Sequence, residues 1–178
     1  MGQTWIALLR GVNVGGHGKL PMAAFRQSLQ SVGYTNVRTY VQSGNVVFES
    51  DLDAGTIGAQ ITGVLETDYG FSRPVVVMTP DALVAAIAAN PFRDALAAPK
   101  SLHLFFCGGS VTFDAQGFAQ ICDQGEQFEI ENNVFYFYTP SGFGRSKASQ
   151  KIERFLQADV VTARNLNSCR NIAALAQG

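Results

Sequence analysis

Hydrophobic positions along the chain change period repeatedly, and each change marks an element. Thr4 to Leu9 is a short apolar run that reads as a strand, followed by a glycine-rich loop from Gly11 to Gly18. Pro21 suits the first position of a helix, in which Met22, Phe25, Leu29 and Val32 recur at helical spacing before Gly33 closes it. Val37 to Gln42 and Asn45 to Glu49 are two β-rich runs separated by Ser43-Gly44, the pattern of a tight hairpin. Asp51 or Asp53 can cap a second helix whose core side is Ile57, Ile61, Val64 and Leu65, and Arg73 to Met78 makes a fourth strand. The three glycines at 55, 58 and 63 weaken the case for a regular second helix. The order so far is β-α-β-β-α-β.

Thr79-Pro80-Asp81 begins a connecting helix that ends near Asn90-Pro91, because a residue before proline is pushed out of helical geometry. Residues 91–100 read as a linker. The same order then returns. Leu102 to Cys107 is a strand, and Asp114 to Cys122 a short helix. Gln127 to Glu131 alternates polar and apolar, and Asn132-Asn133 turns the chain into Val134 to Tyr138. Ser146 to Leu156 is expected to be helical, Val160 to Ala163 a last strand, and Asn165 to Ala176 a terminal helix. Val134 to Tyr138 is apolar or aromatic on both faces, so it is expected to be covered on both sides.

The expected fold is therefore α+β: two ferredoxin-like βαββαβ subdomains joined by a connecting helix, with an extra C-terminal helix. The boundaries are residues 1–78, 79–100 and 101–178.

Composition narrows the function classes. The chain has 178 residues, 47% of them hydrophobic, with 13 basic and 14 acidic residues and a net charge of −1. A protein that grips polyanionic nucleic acid carries a basic surplus, so bulk nucleic-acid binding is unlikely on charge. Cys107, Cys122 and Cys169 are odd in number and form no C-x-x-C pair, which points to free thiols in a reducing compartment. Trp5 to Leu9 is too short for a signal segment, and Ile6 stands where a myristoylation motif wants Ser or Thr. The longest apolar run, Ala82 to Ala89, falls well short of a membrane span. A cytoplasmic protein with no membrane association is expected. No cofactor and no metal site is called for, and the oligomeric state is left open.

The loop from Gly11 to Lys19 lies between a strand and a helix, as phosphate-binding loops do. It is not a Walker A motif, since Leu20 stands where Ser or Thr is required, and it lacks the dinucleotide fingerprint. A loop that needs positive φ angles is the plainer reading, with a weak anion-binding nest beside it. Gly144-Arg-Ser146-Lys-Ala148 resembles a nucleophile elbow, but both histidines, His17 and His103, precede it in the chain, so Ser146 reads as a helix N-cap. His17 belongs to a solvated loop and His103 to a strand. Cys169 falls early in the last helix, where a packed, inert thiol is expected. No catalytic residue is named.

Basic side chains stand out by position. Lys19 precedes the first helix, Arg145 and Lys147 flank the start of another, and Arg164 precedes the last. Helix N-termini attract anions, so a cation repeatedly placed there suggests something negative between. In the expected topology the loop after the first strand shares a sheet edge with the first hairpin. That brings Arg10, Asn13 and Lys19 near Gln42, Ser43 and Asn45. In the second half the corresponding edge collects Arg145, Ser146, Lys147, Arg164 and Asn165.

Several segments together resemble a known family, the bacterial domain of unknown function 1697 family. They are Ile6-Ala-Leu-Leu-Arg10-Gly-Val-Asn13-Val-Gly-Gly16, Lys19-Leu-Pro-Met22, Thr39-Tyr-Val-Gln42-Ser-Gly-Asn45-Val-Val-Phe48, Asn90-Pro-Phe92, Gly144-Arg-Ser-Lys147 and Thr162-Ala-Arg-Asn165. The resemblance implies two subdomains of ferredoxin-like character and brings no established activity. Leu166 stands where the family pattern has an aromatic residue, and Asn171 where it has a basic one.

These readings lead to a small-molecule binding protein, or an enzyme of unnamed chemistry, that holds a phosphate- or carboxylate-bearing ligand. Arg10, Arg145 and Arg164 would pair with the anion, and Asn13, Gln42 and Asn45 would orient the rest. One alternative is a single-stranded nucleic-acid binding module that stacks bases on Tyr40, Phe48, Tyr136 and Tyr138. Another is a scaffold that binds other proteins and no small ligand.

Overall fold

A computed structural model describes residues 2–13 and 19–178. The chain forms two compact units, Met1–Ala85 with Arg170–Gly178, and Ala86–Cys169. It is a mixed α+β structure whose sheets are antiparallel throughout.

The first unit holds β1 (Gln3–Leu9), α1 (Met22–Ser31), β2 (Thr35–Tyr40), β3 (Asn45–Ser50), α2 (Ala54–Tyr69) and β4 (Val75–Met78). Its sheet has the order β2-β3-β1-β4. Trp5, Ala7 and Leu9 of β1 share a face with Val46 and Phe48 of β3, and these pack against Phe25 and Leu29 of α1 and Ile57, Ile61 and Leu65 of α2. Ile6, Leu8 and Val47 on the opposite face are also fully buried. That double burial explains why β1 reads as a continuous apolar run instead of an alternation. Of the two candidate caps for α2, Asp53 is the one used, accepting from the Thr56 N–H at 3.0 Å. The helix is regular over sixteen residues despite its three glycines, and it ends on Gly70 in the left-handed region at φ 71°.

The first hairpin differs from the two-residue turn expected. Tyr40 pairs with Asn45, so Val41–Gly44 is a four-residue connection, with Val41 at φ 50° and Gly44 at φ 74°. Gly44 presses against the loop after β1: a Cβ there would lie 2.5 Å from Val12 Cγ2 and 2.8 Å from Leu9 Cβ. β2 also starts two residues earlier than its apolar run suggests, with an irregular register between Thr35 and Arg38 around Asn36 at φ 49°.

After α3 (Pro80–Ala88), whose Thr79 Oγ1 accepts from the Ala82 N–H at 3.2 Å, a 3-10 turn at Arg93–Leu96 punctuates the segment expected to be a plain linker. The second unit contains β5 (Leu102–Gly108), β6 (Thr112–Phe113), α4 (Ala115–Ala119), β7 (Gln127–Glu131), β8 (Val134–Tyr138), β9 (Leu156–Gln157) and β10 (Val160–Asn165). The main sheet runs β10-β5-β8-β7, and β6 pairs with β9 in a separate ribbon. Ranked by position along the chain, the four strands of this sheet lie in the same order as those of the first. Asn132 and Asn133, at φ 50° and 61°, make the two-residue turn between β7 and β8.

The core of this unit is aromatic. Phe118 is fully buried and meets Phe128, Phe137 and Phe155 edge-on at centroid distances of 5.1, 5.2 and 5.6 Å. The helix expected over Ser146–Leu156 does not form. A 3-10 segment, Ser149–Arg154, stands in its place, preceded by another at Phe143–Arg145. The reason is local: Ser149 Oγ lies 2.6 Å from the Phe143 carbonyl and 2.8 Å from that of Ser146, and Leu156 is drawn into β9 opposite Phe113. α5 (Leu166–Gln177) closes the chain. No helix among the described residues is long and apolar enough to cross a membrane.

Replacing Phe118 with Ala removes the ring that joins five others in the second unit. The expected loss is about 3–5 kcal/mol of unfolding free energy in urea titration, with Phe118→Leu losing clearly less.

Candidate functional site

The loop after β1 and the β2–β3 hairpin are fastened together by one side chain. Asn13, itself at φ 54°, donates from Nδ2 to the carbonyls of Leu20 (2.8 Å) and Gln42 (2.6 Å), while its Oδ1 accepts from the Leu20 N–H (2.8 Å). Both amide hydrogens are therefore committed to holding the loop against the hairpin. Asn45 acts in the same way inside the hairpin. It is buried, and its Nδ2 reaches the Tyr40 carbonyl and Ser43 Oγ, both at 3.0 Å. The Leu9 N–H adds a bond to the Gly44 carbonyl at 2.8 Å. Asn13, Ser43 and Asn45 thus build a rigid rim, and Gln42 contributes its carbonyl to it. The glycine-loop positions Val14–Gly18, with His17, lie outside the described residues.

Cations gather on this rim from three segments. Lys19 is exposed and Arg10 half-buried, and the Arg10 N–H is bonded to the Pro74 carbonyl at 3.0 Å. That bond brings in Arg73, which the sequence reading left out. Arg73 Nε sits 3.9 Å from where a Cβ of Gly11 would project, and its guanidinium lies 5.4 Å from the centroid of the Phe71 ring. The signal for Arg73 was topological: the strand beside β1 must begin where β1 ends. A second signal was charge order, since the first 48 residues carry Arg10, Lys19, Arg26 and Arg38 and no carboxylate side chain. α1 starts at the same end of β1. No side chain caps it, Pro21 precedes it, and its first turn has no acid. Its leading N–H groups are donors of the kind anions seek.

The corresponding residues of the second unit are not brought to one place. β10 extends to Asn165, so Arg164 takes its place on the pleat opposite Leu104, on the face away from Phe105 and Ala163. Phe143 and Ala148, which bracket Arg145, Ser146 and Lys147, pack on the other face. The sheet itself separates Arg164 from that group. Arg164 is buried and donates from Nη1 to Thr162 Oγ1 (2.9 Å) and the Ala163 carbonyl (2.7 Å). Burial lowers its pKa to about 10, which leaves it charged at neutral pH. Ser146 Oγ accepts from the Ser149 N–H at 3.0 Å but is not the N-cap of the following 3-10 turn, which is Ala148, and Asn165 Oδ1 caps α5 through the Ser168 N–H at 2.8 Å. Arg145 and Lys147 are exposed.

Other candidate chemistry is absorbed by packing. Burial pushes the Cys169 thiol to about 12, and Cys107 and Cys122 to about 11, so all three are protonated thiols. His103 stacks on Phe143 at 3.8 Å between centroids, its Nδ1 is buried with no hydrogen-bond partner, and burial lowers its pKa to about 4. Among the described residues no group of three or more His, Cys, Asp or Glu is placed to hold a metal. The side chains proposed for base stacking have partners within the protein. Phe48 is fully buried, and Tyr136 is buried with its hydroxyl on the Ala86 carbonyl at 2.8 Å. Tyr40 accepts from Asn171 Nδ2 at 3.0 Å, and Tyr138 stacks on Phe92 at 6.0 Å.

A family model described as "Protein of unknown function (DUF1697)" matches residues 2–136. Among solved structures, the chain is similar to the conserved bacterial protein SP0830 from Streptococcus pneumoniae. The TM-score is 0.72 at 18% identity, over 97% of this chain and 98% of that one, a likeness of fold. No curated protein matches the chain significantly.

Two outcomes follow from these side chains. Asn13→Asp exchanges two donors for acceptors and leaves the Leu20 and Gln42 carbonyls without them. It should destabilise the first unit by about 1–3 kcal/mol and speed amide exchange at Leu20, measurable by hydrogen-exchange NMR. His103 has a folded pKa of about 4, below the ~6.5 of an unfolded chain. Its contribution to stability is complete above ~6.5 and is lost as pH falls through 4, on the order of 3 kcal/mol in all. Urea titrations between pH 7 and 4 should show that loss in the parent and a shallower one in His103→Phe.

Proposed function

We propose that this chain, which belongs to the DUF1697 family, binds a small phosphate- or carboxylate-bearing ligand at the end of its first sheet. The observation that carries this reading is the start of α1: a ten-residue helix with no side-chain cap and no acid in its first turn. It begins beside a rim that gathers Arg10, Lys19 and Arg73 from three segments. A helix N-terminus and a guanidinium reinforce one another around an anion, because both donate hydrogen bonds to the charged form.

In this reading Lys19, Arg73 and the leading N–H groups of α1 contact the anion, with Arg10 beside them. Asn13, Ser43 and Asn45 fix the rim, and the Gln42 side chain orients the remainder of the ligand. Arg145 and Lys147, exposed on either side of the buried Ser146, offer a further basic surface in the second unit, and Arg164 and Asn165 lie apart from it. We read both main sheets as ferredoxin-like, on the strength of their common strand order, and the compartment as cytoplasmic, on the strength of three unpaired thiols. No reaction is assigned.

The test is a thermal-shift and calorimetric screen with inorganic phosphate, pyrophosphate, a nucleoside monophosphate and a sugar phosphate, each at matched ionic strength. A ligand at 100 times its Kd stabilises by about 2.7 kcal/mol. Lys19→Ala and Arg73→Ala should each weaken binding about tenfold or more, and added salt should weaken it further. Stabilisation that chloride reproduces, or that survives the double variant, overturns the proposal.

A further inference from the structure

The opposite end of the first sheet carries a second feature, with the reverse charge. β3 runs from Asn45 at the basic rim to Ser50, a strand length of about 17 Å. At its far end lies a cavity of about 380 Å³, lined by Gly2, Val32 to Thr35 and Glu49 to Leu52. That volume falls in the range of small-ligand pockets.

We infer that this cavity takes a small organic cation: an amine carried on an apolar aryl or alkyl body. Every ionisable carboxyl or basic group in its lining is acidic. Glu49 is the penultimate residue of β3 and Asp51 lies in the bend that follows it, so both carboxylates belong to this end of the strand. α1 ends here, with no basic residue in its last turn to offset the partial negative charge of a helix C-terminus. Carboxylates at a strand end are ordinarily just solvated, and charge alone would mean little. The apolar walls distinguish this place. Val32 and Leu52, at 41% and 37% exposure, are two of the large hydrophobic side chains the chain leaves open to solvent, and both line this cavity.

The walls are also held in place before any ligand arrives. Ser50 Oγ accepts from the Leu52 N–H at 3.2 Å, and the Ser50 carbonyl accepts from Trp5 Nε1 at 3.3 Å. Tyr34 stacks on Phe48 at 4.5 Å and donates its hydroxyl hydrogen to Gln60 Oε1 at 2.8 Å. A cation at this strand end, with its apolar body against Val32 and Leu52, meets a lining whose charged side chains are Glu49 and Asp51. An anion would meet two carboxylates and a helix C-terminus.

The probe is 2-phenylethylamine, titrated into the intact 15N-labelled chain, with 2-phenylethanol as the neutral counterpart. Saturable shifts confined to the amides around Gly33, Thr35, Ser50 and Leu52 are expected for the amine. The alcohol should bind at least several-fold more weakly. Glu49→Gln and Asp51→Asn should each weaken amine binding by about 3- to 10-fold, the range for a partly exposed charge-assisted contact. Leu52→Ala should weaken amine and alcohol alike. Arg73→Ala should leave amine binding unchanged, so failure at this cavity and failure at the basic rim are separable. Equal shifts with amine and alcohol, shifts spread beyond the cavity, no saturation, or undiminished binding in the Glu49→Gln, Asp51→Asn double variant overturns the inference.

Discussion

A central strand buried on both faces constrains everything else in the first unit. β1 has no solvent side: Trp5, Ala7 and Leu9 face the helices while Ile6 and Leu8 are sealed on the opposite face. A slip of one residue would exchange the two sets, and with Trp5 and Ala7 so different in volume from Ile6 and Leu8 neither face would close. The register against β3 and β4 is thereby fixed, and with it the residue at which β1 ends. Arg10 and Asn13 fall where they do because Leu9 is the last residue of β1.

Polar side chains then divide into those that shape the rim and those left to act from it. Asn13 and Asn45 have their donors turned toward backbone carbonyls, so each contributes position instead of recognition. The rim they fasten is stiff because it closes a loop and a hairpin on one another, with Gly44 pressed into contact with Leu9 and Val12. Such preorganisation lowers the entropy a ligand must remove on binding. The division also explains why counting polar residues at an edge overstates the number free to touch a ligand.

Much of this was legible in the residues, and the exceptions have physical causes. The Asn132-Asn133 turn could be read because both positions need positive φ, which asparagine tolerates. The first hairpin could not, because Val41 at φ 50° carries no such mark and the Asn45 side chain closes a longer loop than the glycine suggests. The apolar spacing of Ile152, Phe155 and Leu156 fits a helix, yet two serine side chains bond the backbone and a short strand claims Leu156. Arg164 was placed beside Arg145 on the premise that the last strand stops at Ala163. Two further residues of pairing put it on the other side of the sheet. Arg73 needed the pairing of β4 with β1 before its position had meaning.

The division of α5 has a consequence for how the protein is made. Its residues from Arg170 onward, with Gly178 after them, count with the first unit although the whole second unit separates them from it in the chain. Asn171 contributes one of the bonds involved, to the hydroxyl of Tyr40, 131 residues earlier. During synthesis the first unit emerges before the piece that completes it, so its completion waits on the second unit that lies between them in the chain. Contacts between such distant residues slow folding, because a long loop must close before they form. Fragments that end before residue 170 would present that surface uncovered, a state in which chaperones and proteases have the advantage.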